Sequence, residues 1–247
     1  EFGAAGSIED SELGIEGYSL YRGDHSDGAG GLGRGAALYI QDGLNHSACP
    51  LFEKVAFNCS AWSIIKLDKT RTLLVGVIYR SPSSAEENNE ALVEMMRKDT
   101  EAKFDQLMIC GDFNLPLIDW DHGRCLDGVS SFTATFCDAL EELDLHQHVK
   151  TSTRFRNEQQ SCLDLVFTSE ENMVNEVTEL PPLGKSDHVC QKWELVVEDV
   201  IFLDHFTPRY NLKKADWTSL KAGLQNFAFQ DAPYSSWQSS SSSSSSS

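Results

Sequence analysis

The sequence predicts an α+β protein, a two-sheet sandwich with helices outside. Three observations point there. Short β-rich runs bounded by turn residues recur from Tyr18 onward. Residues 86–103 and 131–143 carry apolar side chains at helical spacing. Strands and helices are interspersed without the strict alternation of a doubly wound parallel sheet.

Along the chain, residues 18–22 are strand-like and lead into a glycine-rich stretch, after which residues 36–40 form a second strand closed by Asp42-Gly43. The run Gly28-Ala29-Gly30-Gly31-Leu32-Gly33 has no GKS/T ending and precedes a strand, so it reads as a hairpin turn rather than a phosphate loop. Residues 62–67 and 73–79 are β-rich and separated by the polar Asp68-Lys69-Thr70, a hairpin signature. Leu92, Met95 and Met96 give residues 86–103 an amphipathic helical face, and Phe132, Phe136, Ala139, Leu140 and Leu143 do the same for residues 131–143. Between them, residues 106–110 form a strand ending in Gly111-Asp112-Phe113-Asn114. Late strands are expected over 163–167 and 189–197, the second alternating Val189, Gln191, Trp193 and Leu195 on one face, and a further helix over 213–227. His146 and His148 read as surface residues of a polar loop, Trp120 and Trp193 as packing residues.

The chain of 247 residues is long enough for one substantial domain with tails. Residues 1–7 read as a flank or cloning scar, and 233–247 as a low-complexity tail whose serine run, from Ser239, cannot bury enough apolar surface to offset chain entropy. The net charge of -18 argues against broad phosphate contacts, which rely on Lys and Arg, unless a basic rim or a divalent metal offsets it locally. Seven cysteines without a CxxC pair read as reduced core thiols of an intracellular, nuclear or cytoplasmic, protein. No apolar run approaches the roughly 20 residues that span a bilayer, and no signal peptide is visible, so no membrane partner is expected.

Three motifs carry chemistry. In Gly111-Asp112-Phe113-Asn114 a strand delivers a carboxylate and an amide two residues apart, which places both on one side. The carboxylate can take a proton from water, and the amide can hold that water or a phosphate oxygen. In Lys185-Ser186-Asp187-His188, adjacent Asp and His suit a metal ligand beside an imidazole. In residues 161–167, Asp164 is a lone carboxylate in an apolar strand and needs a partner, for which His188 is the candidate. Each motif alone is commonly a turn or a cap.

Taken in order, Val75-Gly76-Val77-Ile78-Tyr79-Arg80-Ser81-Pro82, Gly111-Asp112-Phe113-Asn114, Leu163-Asp164-Leu165 and Ser186-Asp187-His188 resemble the endonuclease/exonuclease/phosphatase superfamily. Residues 18–24, 35–40 and 115–120, Thr153-Arg154, and Arg209-Tyr210-Asn211-Leu212-Lys213-Lys214-Ala215-Asp216-Trp217 resemble its non-LTR (LINE-type) retrotransposon branch. The resemblance implies a four-layer α/β/β/α sandwich of two mostly antiparallel sheets over residues 8–199, lacking the N-terminal strand region. Residues 200–232 would then be a linker towards a reverse transcriptase. It implies a Mg2+-dependent DNA endonuclease, with Mn2+ able to substitute, that nicks a phosphodiester and leaves a 3′-hydroxyl for target-primed reverse transcription. Its partners would be DNA and the reverse transcriptase domain of a parent polyprotein.

By the same resemblance, Asp112 activates water, Asn114 orients it, Tyr79 contacts the scissile phosphate, and His188, oriented by Asp164, stabilises transition-state charge. Asp187 would be a metal ligand. Arg154, Arg156 and Ser186 would contact DNA. The pattern also includes a metal-binding Glu on an early strand, expected upstream of Ile8; Glu9, Glu12 and Glu16 follow no apolar strand and are not assigned that role. Two other readings stand beside this one: a non-catalytic interaction domain or degenerate retroelement fragment, and a phosphate-ester phosphatase of the same superfamily.

Overall fold

The structure is a computed structural model that describes residues 9–24, 35–52, 56–57, 59–101, 104–120, 122–126 and 131–196. The flank 1–7, the glycine run 28–33, the motif 209–217, the helix expected over 213–227 and the serine run lie outside the described residues.

A six-stranded sheet forms the centre. Its strands are β3 (His46–Ala48), β4 (Ser60–Lys66), β5 (Thr72–Tyr79), β6 (Gln106–Asp112), β9 (His146–Gln147) and β12 (Asp164–Thr168), in the order β3-β4-β5-β6-β12-β9. β4 and β5 are the expected hairpin, antiparallel from Ser60↔Ile78 to Lys66↔Thr72. β5 and β6 run parallel, which requires a crossover, and α1 (Glu86–Glu101) supplies it. The other pairings in this sheet are antiparallel.

The alternation of side chains along each strand sorts the core into two faces. Leu74 and Ile78 of β5, Ile109 of β6, and Leu165 and Phe167 of β12 pack against Leu92, Met95 and Met96 of α1. The same cluster holds Phe136, Ala139 and Leu140 of α2 (Phe132–Glu142). The two helices touch each other, with Arg97 paired to Glu142 across them at 2.7 Å. Ser131 caps α2 by accepting from the amide of Ala134 at 3.2 Å, where the sequence had placed the helix's first residue. On the opposite face Leu73 and Val75 meet Leu38 and Met173, while Val166 meets Val149 and Trp193, and Leu195 packs against both groups.

Leu38 belongs to the hairpin of β1 (Tyr18–Asp24) and β2 (Gly35–Gln41), antiparallel from Tyr18↔Gln41 to Asp24↔Gly35. This hairpin comes so close to β4 that a Cβ at Gly23 would lie 2.0 Å from the Ser60 carbonyl oxygen. The remaining strands form two-stranded pairs: β7 (Ile118–Asp119) with β8 (Arg124–Cys125), β10 (Arg154–Arg156) with β11 (Gln159–Ser161), and β13 (Thr178–Leu180) with β14 (Cys190–Lys192).

Two expectations need correction. The strand expected over 189–197 is regular only from Cys190 to Lys192, although Trp193 and Leu195 still face the core. His146 lies on β9 rather than in a loop, and His148, just after that strand, is half-buried: its backbone amide donates to Val166 O at 3.0 Å and its Nε2 lies 2.6 Å from Thr168 Oγ1. Burial there lowers its pKa.

Candidate active site

The site starts from strand register. Tyr79 of β5 pairs with Asp112 of β6, and Asp112 pairs with Asp164 of β12. Registered neighbours point to the same face, so these three side chains form one rung across the sheet, on the side away from the helices. Together with Gly35, Ala36 and Ala37 of β2 they line a cavity of about 310 Å³. Two larger cavities, of about 420 and 550 Å³, are lined by other residues, with Glu141 and Asp144 in the first and Glu171 and Glu176 in the second.

Close backbone approach makes the rung compact. Gly111 has φ 142°, and a Cβ there would sit 1.9 Å from Ile78 O, so only glycine lets β6 run so tightly beside β5 at this point. Beyond Asp112, the amide of Phe113 donates to Leu163 O at 2.9 Å, and its ring is driven into the core between Phe136 and Phe167, at 5.5 and 5.2 Å between centroids. Asp112 and Asn114 were expected to share a side through strand alternation. The strand in fact ends at Asp112, and Asn114 turns into the left-handed region at φ 49°. Its amide returns to Asp112 Oδ1 at 3.0 Å and its Nδ2 donates to Arg80 O at 2.9 Å. A turn, not a pleat, keeps these two side chains near one another.

A second group meets the rung from the later part of the chain. Val189 N donates to Thr153 O, Phe155 N donates to Asp187 O, and Arg154 bridges His188, so an antiparallel contact lays Ser186-Asp187-His188 beside Thr153-Arg154. Thus His188 Nδ1 comes to lie 2.8 Å from Asp164 Oδ2. Thr153 Oγ1 donates to the same oxygen at 2.6 Å. Sequence reasoning gave Thr153 no role, because a threonine between two turns carries no local pattern. Asp187 Oδ2 is held by Arg154 Nε at 2.9 Å, while its Oδ1 lies 4.0 Å from His188 Nε2. Ser186 Oγ accepts from the amide of His188 at 3.0 Å, and Arg156 is exposed on the β10–β11 hairpin.

The electrostatics follow from this packing. Burial, and then the neighbouring charge of Asp164, pushes the Asp112 carboxyl up to about 6. The hydrogen bond and charge of Asp164 raise the His188 pKa above its ordinary value despite partial burial. Arg154 holds the Asp187 carboxyl below the usual range. The group therefore combines a carboxylate able to accept a proton near neutral pH with an imidazolium stabilised beside it.

Asp112, Asp164 and His188 each present one ligand atom within 4.8 Å of the others. Asp164 Oδ2 and His188 Nδ1 are already committed to one another, which leaves the other carboxylate oxygens of Asp112 and Asp164, and His188 Nε2, as the ligand atoms of the group. Carboxylate oxygens of this kind fit a hard divalent cation.

A family profile described as endonuclease-reverse transcriptase matches residues 73–191. The endonuclease domain of TRAS1, a telomere-specific non-LTR retrotransposon, superposes with a TM-score of 0.58 at 19% identity, covering 73% of this chain and 79% of that one. The 3′ phosphatase NExo from Neisseria, solved with a product DNA hairpin, gives a TM-score of 0.54 at 15% identity, covering 77% and 84%. No curated protein matches the sequence. Residues 73–191, from β5 to β14, thus match the endonuclease-reverse transcriptase family profile, and the fold is shared with these two structures.

Proposed function

We propose that this domain is a Mg2+-dependent DNA endonuclease that hydrolyses one phosphodiester and leaves a 3′-hydroxyl for target-primed reverse transcription. The observation that carries the proposal is the meeting of Asp112 with the Asp164–His188 pair within 4.8 Å. Its residues come from three separate stretches of chain.

Asp112 removes a proton from the attacking water, a task suited to a carboxyl raised to about 6. Asn114 has its Nδ2 committed to Arg80 O, which leaves its Oδ1 to accept from that water. As the water oxygen bonds to phosphorus, the bond to the 3′-oxygen breaks, and that oxygen leaves to end as the 3′-hydroxyl. His188, held through Nδ1 by Asp164, turns Nε2 toward the charge growing on the phosphate oxygens. Tyr79, on the same rung, contacts the phosphate from the β5 side. Asp187 would help hold the Mg2+. When bound, the ion neutralises phosphate charge as a Lewis acid. Arg154, Arg156 and Ser186 flank this group and serve DNA positioning, Arg154 also orienting Asp187. The family description, endonuclease-reverse transcriptase, supports a reverse transcriptase as the enzyme that would extend the nick.

The likeness to a DNA 3′ phosphatase favours one second reading, release of phosphate from a DNA 3′ end. One experiment separates the two. Supercoiled plasmid and a 3′-phosphorylated oligonucleotide are each incubated with the protein and Mg2+ or EDTA. The expected result is metal-dependent nicking that yields polymerase-extendable 3′ ends and is lost in Asp112→Ala. Phosphate release without nicking would select the phosphatase, and silence on both substrates would select a non-catalytic role.

A further inference from the structure

Arg80 sits directly after β5 and is only 6% exposed. Among the described residues its guanidinium has no hydrogen bond to a carboxylate, and Asp112 acts on it only through charge. Nε donates to Asn89 Oδ1 of α1 at 2.8 Å, and Nη1 donates to Phe113 O and Asn114 O at 3.2 and 3.1 Å. Cζ lies 4.9 Å from the ring centroid of Phe132 in α2. The backbone of the same residue donates to Asp112 O at 2.8 Å and accepts from Asn114 Nδ2 at 2.9 Å. One residue thus grips each member of the segment 112–114 while being braced by both helices.

We propose that Arg80 is a positioning residue of the active site, fixing the turn that holds Asp112 and Asn114 in working geometry. This inference rests on the nuclease reading above. A guanidinium buried among neutral oxygens is expensive and contributes little net stability. What the arrangement provides is direction. Two consecutive carbonyls drawn onto one nitrogen turn the Asn114 amide outward, toward Asp112 Oδ1, and hold Asn114 in a left-handed conformation that non-glycine residues seldom adopt. A lysine is a point charge on a flexible stem and cannot brace Asn89 and both carbonyls in one plane.

The test uses the full chain with Arg80→Lys, and with Asn89→Ala as a milder lesion that removes the brace on Nε. For Arg80→Lys the expected kcat for Mg2+-dependent nicking falls about tenfold or more, with KM within about twofold of the parent. Amide hydrogen exchange at Phe113 and Asn114 rises about tenfold, while exchange at Leu74 and Ile109 in the sheet is unchanged. Asn89→Ala gives the same pattern at smaller size. A parental kcat in Arg80→Lys overturns the proposal, whatever the exchange shows. So does faster exchange spread equally to Leu74 and Ile109, which marks a merely structural role. If the parent chain itself does not nick, the nuclease reading fails, and exchange alone decides: unchanged rates at Phe113 and Asn114 overturn the hold of Arg80 on the turn, and faster ones support it.

Discussion

Thr153 Oγ1 stands 2.6 Å from Asp164 Oδ2 and accepts, at 3.0 Å each, the amides of Leu163 and of Asp164 itself. One fully buried hydroxyl therefore fills its whole hydrogen-bonding capacity on the residue that orients His188. Replacing Thr153 with the isosteric valine leaves two amides without partners and frees one side of the carboxylate. The expected loss of stability is about 2 kcal/mol or more, measured by urea denaturation. Nicking should fall about tenfold because the Asp164–His188 pair loses its anchor. Parental stability in Thr153→Val would show that water replaces the hydroxyl and that the anchor is dispensable.

Asp112 is expected to weaken the fold it serves. Its folded pKa lies above the ordinary 3.8, near 6, so the folded chain keeps a proton that the unfolded chain releases between those values. Stability contributed at low pH is thus lost as pH rises through that window. Asp112→Asn cannot ionise and should be more stable at pH 8 in EDTA, by on the order of 1–3 kcal/mol, while its nicking drops by at least about a hundredfold. Urea melts at pH 5 and pH 8 check the sign: the gain must be larger at pH 8.

The His188 imidazole should titrate above 6.5, because Asp164 hydrogen-bonds its charged form. Its contribution to stability is complete below 6.5 and disappears as pH climbs through the folded value. Following the His188 ring proton by NMR in EDTA gives the midpoint directly. Asp164→Asn should shift that midpoint downward, and a parental midpoint below 6.5 would remove the electrostatic basis for His188 as a phosphate-facing cation.

Cys125 Sγ and Cys137 Sγ lie 2.7 Å apart, joining the β7–β8 pair to α2. This pair is placed to crosslink. With glutathione disulfide, one thiolate attacks a sulfur and releases glutathione, and the second then displaces the remaining glutathione to close the bond. Mass spectrometry should show a loss of two hydrogens that Cys125→Ser prevents, and a gain of about 3 kcal/mol in stability from the closed loop. Stable mixed disulfides on both cysteines, without the internal bond, would count against it.

Motifs that concentrate their chemistry in adjacent letters were readable without a structure. Asp112, Asn114, Asp187 and His188 stand in short strings, and Asp164 is conspicuous as a lone charge within an apolar strand. The β4–β5 hairpin and both helices were equally plain, because each repeats one period over many residues. The roles of Arg80 and Thr153 were not, although both stand within strings that carry the family resemblance. A cation after a strand looks like a solvent-facing residue until α1 and α2 close over it, and a threonine gains meaning only through pairing with Leu163. His148 was misread because its polar neighbours His146 and Gln147 conceal that its own side chain turns toward Thr168. The signal that could have found Arg80 is its position at the end of the most apolar strand in the chain.

The rung of Tyr79, Asp112 and Asp164 crosses three strands that are distant in sequence, one pairing parallel and the other antiparallel. Parallel neighbours align only after the intervening helix has docked, so no peptide fragment and no early hairpin can assemble these groups. Catalytic competence should therefore emerge late during refolding, together with the last long-range pairings rather than with the bulk of helix formation. On the proposed nuclease reading, a nascent chain would then carry no cutting activity until these strands have paired.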